Sequence, residues 1–189
     1  MTPPVAVLDA CVLYPAQVRS LFMYLAGAEL FRPRWTDAIH EEWIRNLLND
    51  HPDITRAKAE RIRELMNAHV PDCLVIGYEA VIPTLDLPDA DDRHVLAAAV
   101  HGGATALVTF NLADFPPEKL TAHNVEAVHP DEFVLRLFAD HPTEVCAALA
   151  RHRALLKIPP KTVEEFLAIL ELGGFVRTAA ALRPLSDSL

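Results

Sequence analysis

Four acidic clusters in this 189-residue chain stand where a short apolar run meets a polar residue or where a helical pattern carries a carboxylate. Val5-Ala6-Val7-Leu8 runs straight into Asp9, and Ala106-Leu107-Val108-Thr109 runs into Phe110-Asn111-Leu112-Ala113-Asp114. Between them lie Glu42, inside a helical stretch, and Asp89-Ala90-Asp91-Asp92, which opens another. An apolar run ending in a polar residue is the pattern of a buried parallel strand that delivers a side chain to the carboxyl edge of a sheet, where open α/β folds place their sites. Carboxylates gathered there repel one another unless a cation is present. A hard divalent metal is the simplest reason to gather them.

Each acid also has an ordinary use. Asp89, Asp91 or Asp92 can cap a helix and complement its dipole. Glu42 fits the polar face of its helix, and Asp114 and Asn111 suit a turn. Asp9, at the end of a buried strand, is the hardest to explain structurally.

Competing chemistries lack their signatures. No GxxxxGK[ST] occurs, and no GxGxxG follows a strand. Ser20, Ser186 and Ser188 lie outside any GxSxG elbow. His40-Glu41-Glu42 starts like HExxH, but Ile44 stands where the second histidine belongs. Asp9-Ala10-Cys11 lacks the second carboxylate of an Asp-x-Asp phosphatase strand end. Cys11, Cys73 and Cys146 form no CxxC, and Cys11 reads as a small buried hydrophobe.

The elements needed to position these acids are legible in outline. Val18, Leu21, Phe22 and Leu25 recur at helical spacing. Thr36 reads as the N-cap of the helix with Glu42, and Asp53 as the cap of the next. Leu74-Val75-Ile76 reads as a short strand, Ala106–Thr109 and Val125–Val128 as two more. Asp89 or Asp91 reads as the cap of an almost wholly apolar helix that Gly102-Gly103 ends. Pro130 through about Ala139 completes the alternation, which implies a parallel sheet. After Asp140 the texture turns helical. A helix over Thr143–Leu156, a break at Ile158-Pro159-Pro160, and a capping box at Thr162 and Glu165 precede a closing Gly173-Gly174.

The 51% hydrophobic content suffices for a sizeable core and argues against disorder. No apolar run approaches a membrane span, and a cytoplasmic protein without membrane attachment is expected. A formal charge of −9 disfavours long-range attraction to nucleic acid but not local recognition. The bases cluster at Arg56, Lys58, Arg61 and Arg63 and at Arg151, Arg153, Lys157 and Lys161, each group reading equally as a solvated helix face or a phosphate-contacting surface.

Taken together, Val7–Pro15, Thr36 through Trp43, Asp89–Ala99 and Val108–Phe115 resemble a PIN domain, and more narrowly the VapC-type toxins of bacterial toxin–antitoxin pairs. The resemblance implies a PIN-like α/β fold over residues 1–140, a parallel sheet flanked by helices, with a C-terminal helical extension over 141–189. It implies a Mg²⁺- or Mn²⁺-dependent endoribonuclease, an RNA substrate, a cognate antitoxin and a homodimer. Matched by motif, Asp9, Glu42, Asp92 and Asp114 become the acidic quartet that holds metal, with Asn111 and Thr109 as polar supports. Asp91 or Asp89 is the alternative to Asp92. An RNA-processing or structured-DNA nuclease without an antitoxin, or a non-catalytic binding protein, would share the fold.

Overall fold

The computed structural model describes residues 2–157 and 159–189. The chain runs β1 (Val5–Leu8), α1 (Ala10–Leu13), α2 (Ala16–Gly27), β2 (Arg32–Arg34), α3 (Asp37–Asp50), α4 (Arg56–His69), α5 (Arg93–His101), β3 (Ala106–Val108), α6 (Pro117–Leu120), β4 (Glu126–Val128), α7 (Pro130–Asp140), α8 (Pro142–Leu155), α9 (Val163–Leu172) and α10 (Val176–Leu182). All strand pairings are parallel, in the order β2-β1-β3-β4. The α/β class and the C-terminal helical region expected from the sequence are both present.

This strand order fixes where a site belongs. From β1 the chain moves outward to β2, then returns to the other side of β1 for β3 and continues to β4. Successive connections therefore leave in opposite directions from β1 and β3, and a crevice opens between their carboxyl ends. Asp9 follows β1 and Thr109 follows β3, so both end at that crevice. Helices α3 and α5 begin on the same side: one follows β2, and the other runs back toward the start of β3.

Ala6, Val7, Leu8, Leu107 and Val108 are almost fully buried, as the two-faced burial of parallel strands requires. Helix α5 packs on β1 and β3. Its small residues, Ala97, Ala98 and Ala99, permit close approach and are themselves buried. Thr36 caps α3 by accepting from the Ile39 amide at 3.1 Å, and α3 buries Ile39, His40, Trp43, Ile44 and Leu47. His40 is satisfied inside the core: Trp43 Nε1 donates to its Nδ1 at 2.9 Å, and burial pushes its pKa down to about 4.

Several expectations need correction. Thr55, not Asp53, caps α4, and Ile54 just before it packs against the core. That arrangement is a hydrophobic entry to the helix, which Asp53 would displace by two residues. Leu74-Val75-Ile76 is not a strand. It makes only a parallel bridge from Leu74 to Trp35, and Ile76 is 72% exposed. Neither Asp89 nor Asp91 caps α5; Asp92 occupies that position. The last strand begins at Glu126 rather than Val125. Helix α8 ends at Leu155; of the expected break at Ile158-Pro159-Pro160, Ile158 lies outside the described residues.

The C-terminal helices share the core of the sheet domain. Helix α8 packs on α2, and α10 packs on α7 and α9. Phe22 of α2, Phe31, Phe133 of α7 and Phe175 form one aromatic cluster, with ring centroids 5.2–6.3 Å apart. The capping box at Thr162 and Glu165 is present, with reciprocal bonds of 2.9 and 3.2 Å. Among the described residues, no helix is long and apolar enough to cross a membrane.

Candidate metal centre

Asp9 is 5% exposed, and both its oxygens are engaged. Oδ1 accepts from the Ala10 amide at 2.6 Å, so the same side chain starts α1. Oδ2 accepts from Thr109 Oγ1 at 2.7 Å and from Cys11 Sγ at 3.1 Å. Thr109 Oγ1 also accepts the Asn111 amide at 3.0 Å, and Cys11 Sγ accepts the Phe110 amide at 3.3 Å. These bonds tie the ends of β1 and β3 into one polar network of neutral donors. Cys11 is thus a link in that network rather than the plain buried hydrophobe its sequence suggests. Burial and the adjacent Asp9 charge push its thiol up to about 12, which keeps it a donor and not a thiolate nucleophile.

Asp92 opens α5, yet its side chain makes no capping bond. Asp89 accepts the Asp91 amide at 2.8 Å and so shapes the turn that leads in. Asp89 and Asp91 are exposed, while Asp92 is half-buried. Burial, reinforced by the charges of Asp9, Asp114, Asp89 and Glu42, raises Asp92 to about 6. Asp9 is raised as well, chiefly by burial and then by Glu42, against the lowering effect of Thr109 and Cys11. Asp9, Glu42, Asp92 and Asp114 therefore share one electrostatic field.

Glu42 lies in the second turn of α3, half-buried, with His94 Nε2 of α5 at 3.5 Å from its Oε2. In the sequence, the one signal for His94 is its position two residues after Asp92. Asp114 closes a single 3₁₀ turn over Leu112–Asp114 and is half-buried; Asn111 just before it is exposed. Among the described residues, the Asp92 and Asp114 side chains have neither hydrogen-bond nor ion-pair partners, and no Lys or Arg pairs with any of the four acids. The arginines of α4 are paired elsewhere: Arg56 with Glu41 and Glu60, Arg61 with Glu64, and Arg63 with Asp37 and Glu60.

Among the described residues, no three His, Cys, Asp or Glu side chains converge closely enough to enclose an ion unaided. The donor set is nonetheless all oxygen, unneutralised and mutually repulsive. That chemistry suits a small hard cation held by one or two carboxylates with several retained waters.

The shift at Asp92 has a consequence for stability. A carboxyl group raised in the folded state binds more protons there than in the unfolded chain. Its ionisation therefore removes stability as pH rises from about 4 to about 6. Metal-free Asp92→Asn is expected to melt higher than the parent at pH 7, with the difference shrinking at pH 4, whereas exposed Asp91→Asn changes little. Melting curves at the two pH values check this; a lower melting point for Asp92→Asn at pH 7 would assign Asp92 a structural role.

Comparison with known families now adds an independent observation: the model of the PIN domain matches residues 5–113, more than half of the chain. The chain belongs to the PIN-domain family. The PIN match contains Asp9, Glu42, Asp92, Thr109 and Asn111 and stops one residue short of Asp114. A second model, described as the VapC50 C-terminal domain, matches residues 130–184. This PIN protein is 52% identical over 59 residues to the Mycobacterium tuberculosis (strain ATCC 25618 / H37Rv) protein named "Putative ribonuclease VapC50". The matched stretch is 31% of this chain and spans about a third, 34%, of that relative. No solved structure matches it.

Proposed function

We propose that this PIN-domain protein is a Mg²⁺- or Mn²⁺-dependent endoribonuclease, the toxin of a toxin–antitoxin pair, working in the cytoplasm. The observation that carries this reading is the field shared by Asp9, Glu42, Asp92 and Asp114 at the switch point of the sheet, with no Lys or Arg paired to it among the described residues. A bound divalent ion would supply an activated water and a Lewis acid for the phosphoryl oxygen. Asp92 and Asp114, free of protein partners among the described residues, and Asp9 would hold it. Thr109 and Cys11 fix the Asp9 carboxylate in one orientation through its Oδ2. Glu42, against His94, stands where it can orient a water or take a proton. Asn111 offers an amide beside the acids without adding charge to them.

The name of the M. tuberculosis relative supports the ribonuclease assignment, and the match to a C-terminal domain named after it supports the toxin class. An open, mostly apolar groove of about 700 Å³ between α2 and α4 supports a protein partner. Met23, Ile62, Leu65 and Met66 line it, and Arg19, His69 and Arg151 edge it.

RNA incubated with the purified chain should be cut with Mg²⁺ or Mn²⁺, leaving 5′-phosphate and 3′-hydroxyl ends, and left intact in EDTA. Sequencing 5′-phosphorylated ends identifies the cut. Cleavage that continues undiminished in chelator would reject the metal-dependent mechanism.

A further inference from the structure

The elbow between α9 and α10 touches the loop that leaves β3. Gly174 has φ +91°, and a Cβ there would stand 3.1 Å from Phe110 Cε1. Both the dihedral and the close approach call for glycine. Phe110 is the residue between Thr109 and Asn111. Its amide bonds Cys11 Sγ, and its ring meets His129 edge-on with centroids 5.2 Å apart. Movement of Phe110 would therefore act directly on the network that orients Asp9.

The elbow is fixed from two sides. Phe175 is 1% exposed and lies against Phe22 in the aromatic cluster, at 6.3 Å between centroids. Asp131 of α7 holds the start of α10 from 46 residues away. Its Oδ2 accepts the Arg177 amide at 2.9 Å. Its Oδ1 accepts the Thr178 amide at 2.9 Å and Thr178 Oγ1 at 2.6 Å. Asp131 is 5% exposed, so water competes little for these bonds.

We infer that the C-terminal elbow is a positioning device for the acidic centre: Gly174, set by Phe175 and the Asp131–Thr178 latch, backs Phe110 and fixes the loop bearing Thr109, Asn111 and Asp114. The C-terminal helices then act on the chemistry without contacting it. Gly174, Phe110, Asp131 and Thr178 are positioning residues, and the inference rests on the metal-dependent reading above.

A double-mutant cycle in the full chain tests it, with Gly174→Ala, Phe110→Leu and the pair. The readouts are Mn²⁺ affinity by electron paramagnetic resonance of the free ion, kcat and KM on RNA, and melting temperature. Gly174→Ala should weaken Mn²⁺ binding by about tenfold, the scale of disturbing a ligand's supporting contacts, and lower kcat more than it raises KM. In the Phe110→Leu background the same change should cost less than about twofold, because the shorter side chain makes room. Strain from the positive φ is present in both backgrounds and cancels. Thr178→Val, which keeps the elbow but loosens its latch, should also weaken Mn²⁺ binding well below its melting temperature. It decides the matter if Gly174→Ala does not fold. Equal Mn²⁺ losses in both backgrounds, or lower melting with unchanged Mn²⁺ affinity in Thr178→Val, would overturn the inference. If the parent chain itself neither binds Mn²⁺ nor cuts RNA with metal, the proposed function falls and takes this inference with it. A parent that does both while the cycle shows no coupling loses only the elbow.

Discussion

Asp9→Asn is expected to lose at least about 99% of the proposed RNA cleavage and to leave a folded chain. The carboxylate is buried at the end of β1 and is raised chiefly by that burial, so its charge is held at a cost to the metal-free fold. Asparagine keeps one oxygen for the Ala10 amide and turns its NH₂ toward Thr109 Oγ1, whose hydroxyl can rotate to accept. The variant should therefore melt no lower than the parent without metal at pH 7. With one anionic ligand of the proposed metal site gone, cleavage should fall at least about a hundredfold, beyond the loss typical of an outer contact. Rates on a defined RNA and metal-free melting curves read the two effects separately. Cleavage at the parent rate would remove Asp9 from the site, and a sharp drop in melting temperature would make it a structural residue.

The largest stability effect is expected at Phe175→Ala. Phe175 fills the space between Phe22 and the turn after α9 and is 1% exposed. Truncating such a side chain costs about 3–5 kcal/mol, which in a chain of this size lowers the melting temperature by about 10 °C. Because Phe22 and Phe133 belong to the same cluster, the melt should remain a single transition. Two separated transitions would mean that the C-terminal helices unfold on their own.

The elements that read clearly in the sequence are those whose cause is local. β1 and β3 are apolar runs with no competing pattern, and Thr36 and Thr162 cap helices through residues three positions away. β2 is Arg-Pro-Arg, three residues whose strand character comes from pairing with β1 rather than from composition. Helix α10 is seven residues long and begins at no local cap; Asp131, distant in sequence, supplies it. The acids were legible because strand ends and helix starts reveal carboxylates. The half-burial of Asp92 beside exposed Asp89 and Asp91, the thiol link through Cys11 and the contact of Gly174 with Phe110 all depend on tertiary approach, which no spacing encodes.

Pro33 has a further consequence. In β2 the Arg32 amide points inward, to Pro4 O at 2.8 Å, while the Trp35 amide points outward, to Cys73 O at 3.0 Å. Residue 33 faces outward with Trp35, and proline presents no hydrogen there. The β2 rim of the sheet thus disfavours addition of another strand: a short segment docks only at Trp35, and beyond it the ladder lacks a donor. Chains stacking on this rim would meet that gap together with Arg32 and Arg34, so extension of the sheet past β2 is disfavoured at its first step. A partner's strand would meet the same gap, so the β2 edge is not where another protein would extend this sheet.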